Sequence, residues 1–324
     1  MTMQSANTKV GFAKQSARGT AATNPTFDHG LASGGFTTTV EQEPAELASG
    51  VRYRTHVDRT KVQPGFDMAS RAFIKSIGLW LLGALGAVNT TGAGPYVHTF
   101  TPGSALPWLT VWGWLDSTYY NAKDCIVESL ELTWSETNPL EMNVSGSGGL
   151  INFSPTYTPG TSEVPANYLV PVGGTFKYDV DSATPVTGRI KGGSIKINNG
   201  LDSIMLSGSV VPDETFPNAM DLEVSLTVVP DNLNDFRTIL TGTSGGTVVQ
   251  ETPVYGSCEL TFKEGNAGTG SLKVECLRLP FLTDFPEGNA SGGPVEMELT
   301  GTPIMQTGGG VPISCVLTNG QTTY

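Results

Sequence analysis

The chain predicts a mainly β fold built as two tandem β-sandwich repeats, each with one flanking α-helix. Three observations carry this reading. Apolar and polar residues alternate in many short runs, Gly (40) and Pro (21) punctuate the 324 residues, and the order strand, strand, Pro, helix, strand, turn, strand occurs twice. The repeat is anchored where Val62-Gln63-Pro64 leads through Asp67 and Val228-Val229-Pro230 leads through Asp231. A second anchor matches Tyr120 to Cys125, running on to Asn138, with Tyr255 to Cys258, running on to Asn266. The boundaries expected are an extended N-terminal arm over 1–35, a first repeat over 36–150 with a long loop at 87–124, a connector over 151–188, and a second repeat over 189–324.

Each element follows from its local pattern. The arm is small, polar and aperiodic, so it gains order only by lying on something else. Val51, Tyr53, Thr55 and Val57 alternate with polar residues and predict a half-buried strand. Asp67 is placed to cap a helix from Met68 to Leu85 that packs Phe73, Ile77, Trp80, Leu81 and Ala84 and stops at Gly86. Ile77 to Val88 is too short for a membrane span and reads as a buried helix. The 87–124 segment carries Trp108, Trp112, Trp114, Tyr119 and Tyr120 between Gly and Pro breaks. Strands follow at Leu130 to Trp134 and Leu140 to Val144, and the connector holds an extended piece near Thr175 to Val180. In the second half, Asn199-Gly200 predicts a tight hairpin between Ile195-x-Ile197 and Ile204-x-Leu206. Leu222 to Val228 alternates without fault, a helix is expected over Asp231 to Leu240, and strands are expected around Cys258–Phe262, Leu272–Val274 and Val295–Leu299.

Composition narrows the function. Net charge is −12, which opposes phosphate binding and attraction to anionic membranes, so no membrane partner is expected. Cys125, Cys258, Cys276 and Cys315 are far apart and unaccompanied by histidine, and read as buried free thiols. His29, His56 and His98 fall in an arm, a strand and a loop, without metal-ligand spacing. Phosphate-loop and dinucleotide motifs are absent. No catalytic, cofactor-binding or metal-binding residue is therefore predicted, and no enzyme. One-sided sheets, an arm and an aromatic segment are parts for self-assembly. The rival from another class is a carbohydrate-binding or adhesive β-sandwich with the 108–120 aromatics as a sugar platform. A hydrolase would need paired carboxylates in a cleft.

Several segments carry a family resemblance. Gly11 to Thr20, Leu82-Gly83-Ala84-Leu85-Gly86, Tyr96 to Thr101, Leu106 to Val111, the Cys125 strand and the stretch from Val316-Leu317-Thr318-Asn319 to Tyr324 occur in the order seen in major tail tube proteins of long-tailed bacteriophages, and the chain resembles that family over nearly its whole length. The resemblance implies a structural virion protein of a non-contractile tail, assembled in the bacterial host cytoplasm. Its subunits would stack as rings around an inner β-barrel that conducts double-stranded DNA without specific binding. The partners implied are further copies of the chain, the tape measure protein, the tail terminator and the distal tail proteins. The doubled chain favours a trimeric ring with pseudo-sixfold symmetry, with a hexamer as the alternative. A lumen through which DNA slides should be acidic or neutral. The candidates for it are Glu131, Glu141, Asp221, Glu223, Glu259 and Glu275, and those for contacts between rings are Gly11, Phe12, Trp108, Trp112, Trp114, Tyr119 and Tyr120.

Overall fold

The computed structural model describes residues 9–44, 56–115, 118–149, 151–153, 158–163, 167–181, 185–265, 268–286 and 294–324. In chain order the first part holds β1 (Lys9–Lys14), β2 (Phe27–Gly30), β3 (Ser33–Pro44), β4 (Val57–Arg71), α1 (Ile77–Leu85), β5 (Gly86–Thr91), β6 (Tyr96–Pro102), β7 (Leu109–Leu115), β8 (Thr118–Ser135) and β9 (Glu141–Ser147). Then come β10 (Ile151–Asn152), β11 (Thr161–Ser162), β12 (Leu169–Asp179), β13 (Val186–Thr187), β14 (Ile190–Asn198), β15 (Leu201–Ile204), β16 (Glu214–Pro217), β17 (Asp221–Val228), α2 (Asn234–Thr241), β18 (Tyr255–Glu264), β19 (Ser271–Leu282), β20 (Met297–Gly301) and β21 (Ser314–Asn319). The fold is mainly β, as the alternation predicts.

One antiparallel sheet runs through both halves in the order β3-β4-β9-β8-β14-β17-β20-β19. Two further layers flank it, β2-β1-β7-β8 and β13-β12-β18-β19-β21-β6-β5. The long strand β8 belongs to two layers, pairing β7 through its first part and β9 and β14 through its last. It turns at Asp124, whose φ of 56° lies in the left-handed region, and the Asp124 carboxylate accepts from Gly19 N at 2.7 Å. Strand β19 makes the same passage, from β18 to β20.

The pairing scheme occurs twice. A hairpin (β3-β4, then β14-β17) is followed by a helix, then by a hairpin whose second strand changes layer (β7-β8, then β18-β19). A return strand (β9, then β20) inserts beside the first hairpin, and an earlier strand (β1, then β12) flanks the second. This order matches β8 with β19, whereas the sequence anchors matched β8 with β18. Sequence similarity followed the alternation common to any strand, and pairing partners identify which strand it is. The apolar faces of all layers and α1 enclose one continuous core drawn from both halves.

Several local expectations are corrected. Asp67 does not cap a helix, because Phe66, Met68 and Ser70 alternate inward in β4, which is paired on both sides. Only Ile77–Leu85 is helical, and its first turn is closed from the connector, where buried Glu163 accepts from Ser76 N at 2.7 Å. The 87–124 segment is strands β5, β6, β7 and the start of β8 rather than a loop. The arm joins the body from Lys9 onward, with β1 paired between β2 and β7. The connector likewise contains β12, eleven residues long and paired with β18. Asn199-Gly200 does not close a tight hairpin, since β14 pairs β17 and β15 pairs β16. The Asn199 amide is instead buried, donating to the carbonyls of Ala84 and Val127 at 3.0 and 3.1 Å. Residues 51–55 of the strand expected over Val51 to Val57 lie outside the described residues. All four cysteines are buried and free.

Candidate assembly surfaces

The eight-stranded sheet has one face in the core and one polar face. Because register carries side chains straight across a sheet, cross-strand rows define that polar face. One row runs Asn143, Glu131, Lys196, Glu223; another runs Arg71, Glu141, Thr133, Ser194, Ser225, Thr300, Leu282; a third runs Asp67, Ser145, Ser129, Asn198, Asp221. Four of the six lumen candidates, Glu131, Glu141, Asp221 and Glu223, therefore share a surface. The register adds Asp67 and Glu298, against the cations Arg71 and Lys196. The face is acidic in balance, and its Ser and Thr residues fill the space between charges.

The remaining two candidates stand apart. Glu259 and Glu275 oppose one another on β18 and β19, in a flanking layer. Lys177 bonds to Glu259 at 3.0 Å and Lys273 to Glu275 at 2.8 Å. Alternation marked all six as outward-pointing, but only pairing partners tell which layer an outward residue leaves.

Of the aromatic candidates, several are spent inside the subunit. Phe12 is fully buried, its ring 4.2 Å from that of Trp80, and Gly11 is buried beside it in β1. Trp112 is 1% exposed and Trp114 7%, so both pack within the subunit and neither offers a contact surface or a sugar platform. Trp108 is half-buried beneath the Arg18 guanidinium at 5.6 Å. Tyr119 is exposed, and Tyr120 packs edge-on against Phe36 at 5.1 Å.

Three surface features went unread in the sequence. The outer parts of β3 and β4, beyond the reach of β9, project as a two-stranded ribbon. Near it, the β15-β16 hairpin leaves Ile204, Met205, Leu206 and Val210 exposed. The two ends of the long sheet are also unpaired among the described residues, with Phe285 and Leu282 exposed at one end and Val40 on β3 at the other. Uneven exposure of apolar residues was the available signal, and it is invisible without the fold.

The titratable groups that burial perturbs include two near α1. His29, buried between Phe12 and Phe73, is pushed down to about 4 by burial, only partly offset by its contact with the Gly30 carbonyl. Burial likewise pushes the Glu163 carboxyl up, opposed by its bond from Ser76 N. Both serve packing near α1. Among the described residues, neither adjoins a cleft with a second reactive group.

No individually curated protein gives a match to the chain. A family model described as phage tail tube protein matches residues 5–302. That match takes in both halves of the pairing scheme and the acidic sheet face, and with it the chain belongs to the phage tail tube protein family.

Proposed function

We propose that three copies of this chain close into a ring whose long sheets form a single barrel, and that stacked rings make a tail tube through which double-stranded DNA passes. The observation that carries this reading is the unbroken order β3-β4-β9-β8-β14-β17-β20-β19 within one chain. It supplies two sets of strands in the same order, which is what a ring of pseudo-sixfold symmetry needs from a trimer. Three copies give a barrel of about 24 strands, which at ~4.8 Å spacing and ~40° tilt is roughly 48 Å across the backbone. Side chains leave an opening on the order of 38 Å, wider than a duplex of roughly 20 Å. Six copies would double the backbone diameter without need.

The polar face becomes the lumen. Carboxylates with interspersed Ser and Thr repel phosphates and give no counterion-release affinity, so DNA slides. Glu131, Glu141, Asp221 and Glu223 line it, while Glu259 and Glu275 lie on the outside. The projecting ribbon, the β15-β16 tip, Tyr119 and Tyr120 meet the next ring, because exposed apolar side chains are covered on stacking. A tape measure protein sets the length of the tube, and the terminator and distal tail proteins are its further tail partners. Assembly takes place in the host cytoplasm. A symmetry-free reconstruction of the tube tests the reading, with three chains per ring expected and six overturning the trimer.

A further inference from the structure

We infer that the free edge of β3 receives the segment that follows β19, through Phe285, from a second copy of the chain, so that subunits join head to tail through a junction already present once inside each subunit. The inference rests on the ring reading and adds to it the interface and its register.

The internal template is the seam between β8 and β14, where Leu132 lies opposite Ile195. The two halves can be aligned on it residue by residue. In the first, Gly146 of β9 lies between Phe66 and Val127; in the second, Gly301 of β20 lies between Val224 and Phe281. Both glycines fill the same kind of space. A Cβ on Gly146 would stand 2.2 Å from the Ile126 carbonyl oxygen, and one on Gly301 would stand 2.7 Å from that of Pro280, in each case the residue before the paired one. Phe66 then corresponds to Val224, and their outer partners Phe36 and Ile195 correspond as well. Leu132 follows Val127 by five positions, one of them absorbed by the bulge between Val127 and Ser129. Counting equally from Phe281 reaches Phe285 or Pro286. Phe285 of one copy therefore faces Phe36 of the next.

Both sides are ready for this contact. Among the described residues β3 pairs only with β4, leaving a row of backbone donors and acceptors open to strand addition. Phe285 is 66% exposed. Beside it a groove of about 400 Å³ lies between α2 and the β19 end, with Ile239, Leu240 and Phe281 along its apolar side and Asp284, Glu298 and Thr300 where it opens onto the polar face. Inside the subunit, the corresponding place beside α1 is filled by β8 and β14, and Asn199 from the end of β14 bonds the α1 carbonyl of Ala84. The groove is what remains when the strand equivalent to β14 has yet to arrive. The occupant with the matching edge is β3 of another copy.

Cysteine cross-linking tests the register in assembled full-length protein, since the native thiols are buried. The double variants F36C/D284C, F36C/F285C and F36C/P286C are oxidised alongside F36C/V248C, a control on an exposed loop. At least one of the three should give covalent chains that end at the closed ring, and the control should give none. Phe285→Asp removes an edge-on contact with Phe236 at 5.0 Å at an otherwise exposed site, and should leave the subunit's circular dichroism unchanged, lower its melting temperature no more than Phe236→Ala does, and abolish rings. Rings that form normally with no cross-link above the control, or that survive F285D, overturn the interface while leaving the tube reading standing. Wild-type protein that forms no ring or tube at all overturns both.

Discussion

The two helices follow corresponding hairpins and meet opposite surroundings. All nine residues of α1 are buried, whereas α2 buries only Thr238 and leaves Leu233 exposed. Their compositions agree with this difference. IGLWLLGAL has no polar face to give to water, and NDFRTILT has one. The first helix backs a seam completed within its own chain; the second flanks a sheet end that has no partner among the described residues. The contrast shows that the same pairing scheme can be backed by a fully buried helix in one half and a largely exposed one in the other; under the interface proposed above, the cover for the second comes from the next subunit.

The largest test of this contrast is truncation of an aromatic in each helix. Trp80→Ala removes a 1%-exposed ring stacked on Phe12 and should cost about 3–5 kcal/mol, read by denaturant unfolding of the subunit. Phe236→Ala in half-exposed α2 should cost about 1 kcal/mol or less in the free subunit and show its main effect as weaker polymerisation by light scattering. Equal subunit losses would break the comparison.

Acid should next weaken the first half selectively. The unfolded chain takes up a proton on His29 near pH 6.5 and the folded chain only near 4. Stability is therefore unaffected above pH 6.5 and falls as pH drops toward 4, by about 3 kcal/mol from this group. His29→Phe should flatten that part of the pH dependence in thermal melts.

The corresponding glycines sharpen the alignment of the halves. Gly146→Ala drives a Cβ against a backbone oxygen at 2.2 Å and should cost about 1–3 kcal/mol. Gly301→Ala meets its nearest atoms at 2.7 Å, one of them a movable Leu279 methyl, and should cost less. Chemical denaturation of both variants decides the order.

The smallest stability effect belongs to the polar face. Asp221→Lys with Glu298→Lys should change subunit stability by about 0.5 kcal/mol or less. In assembled tails the same pair should slow DNA ejection at low salt and less so at high salt, because the added attraction is screened. Unchanged ejection at low salt would remove those residues from the lumen.

Much of this was legible in the chain. Alternation at Leu130-x-Leu132-x-Trp134 and over Leu222 to Val228 marked true strands and their core faces. The all-apolar run from Ile77 marked a buried helix, and the carboxylates on the polar phase pointed outward as expected. Where local pattern and tertiary pairing compete, pairing won. Asp67 looked like a helix cap, yet its segment lies between two strands and stays extended. Trp112 and Trp114 sat between breakers and read as a loop, yet each satisfies its backbone in a ladder and buries its ring. Glu163 caps a helix 87 positions away, and no short-range pattern encodes such a partner.

The fold class, the alternating faces and the buried thiols are readable from the sequence, because each depends on side-chain polarity at short spacing. The tertiary structure alone decided which strands neighbour one another, which layer each outward carboxylate leaves, and which edges stay open. Those follow from long-range backbone hydrogen bonding, for which every strand carries the same donors and acceptors.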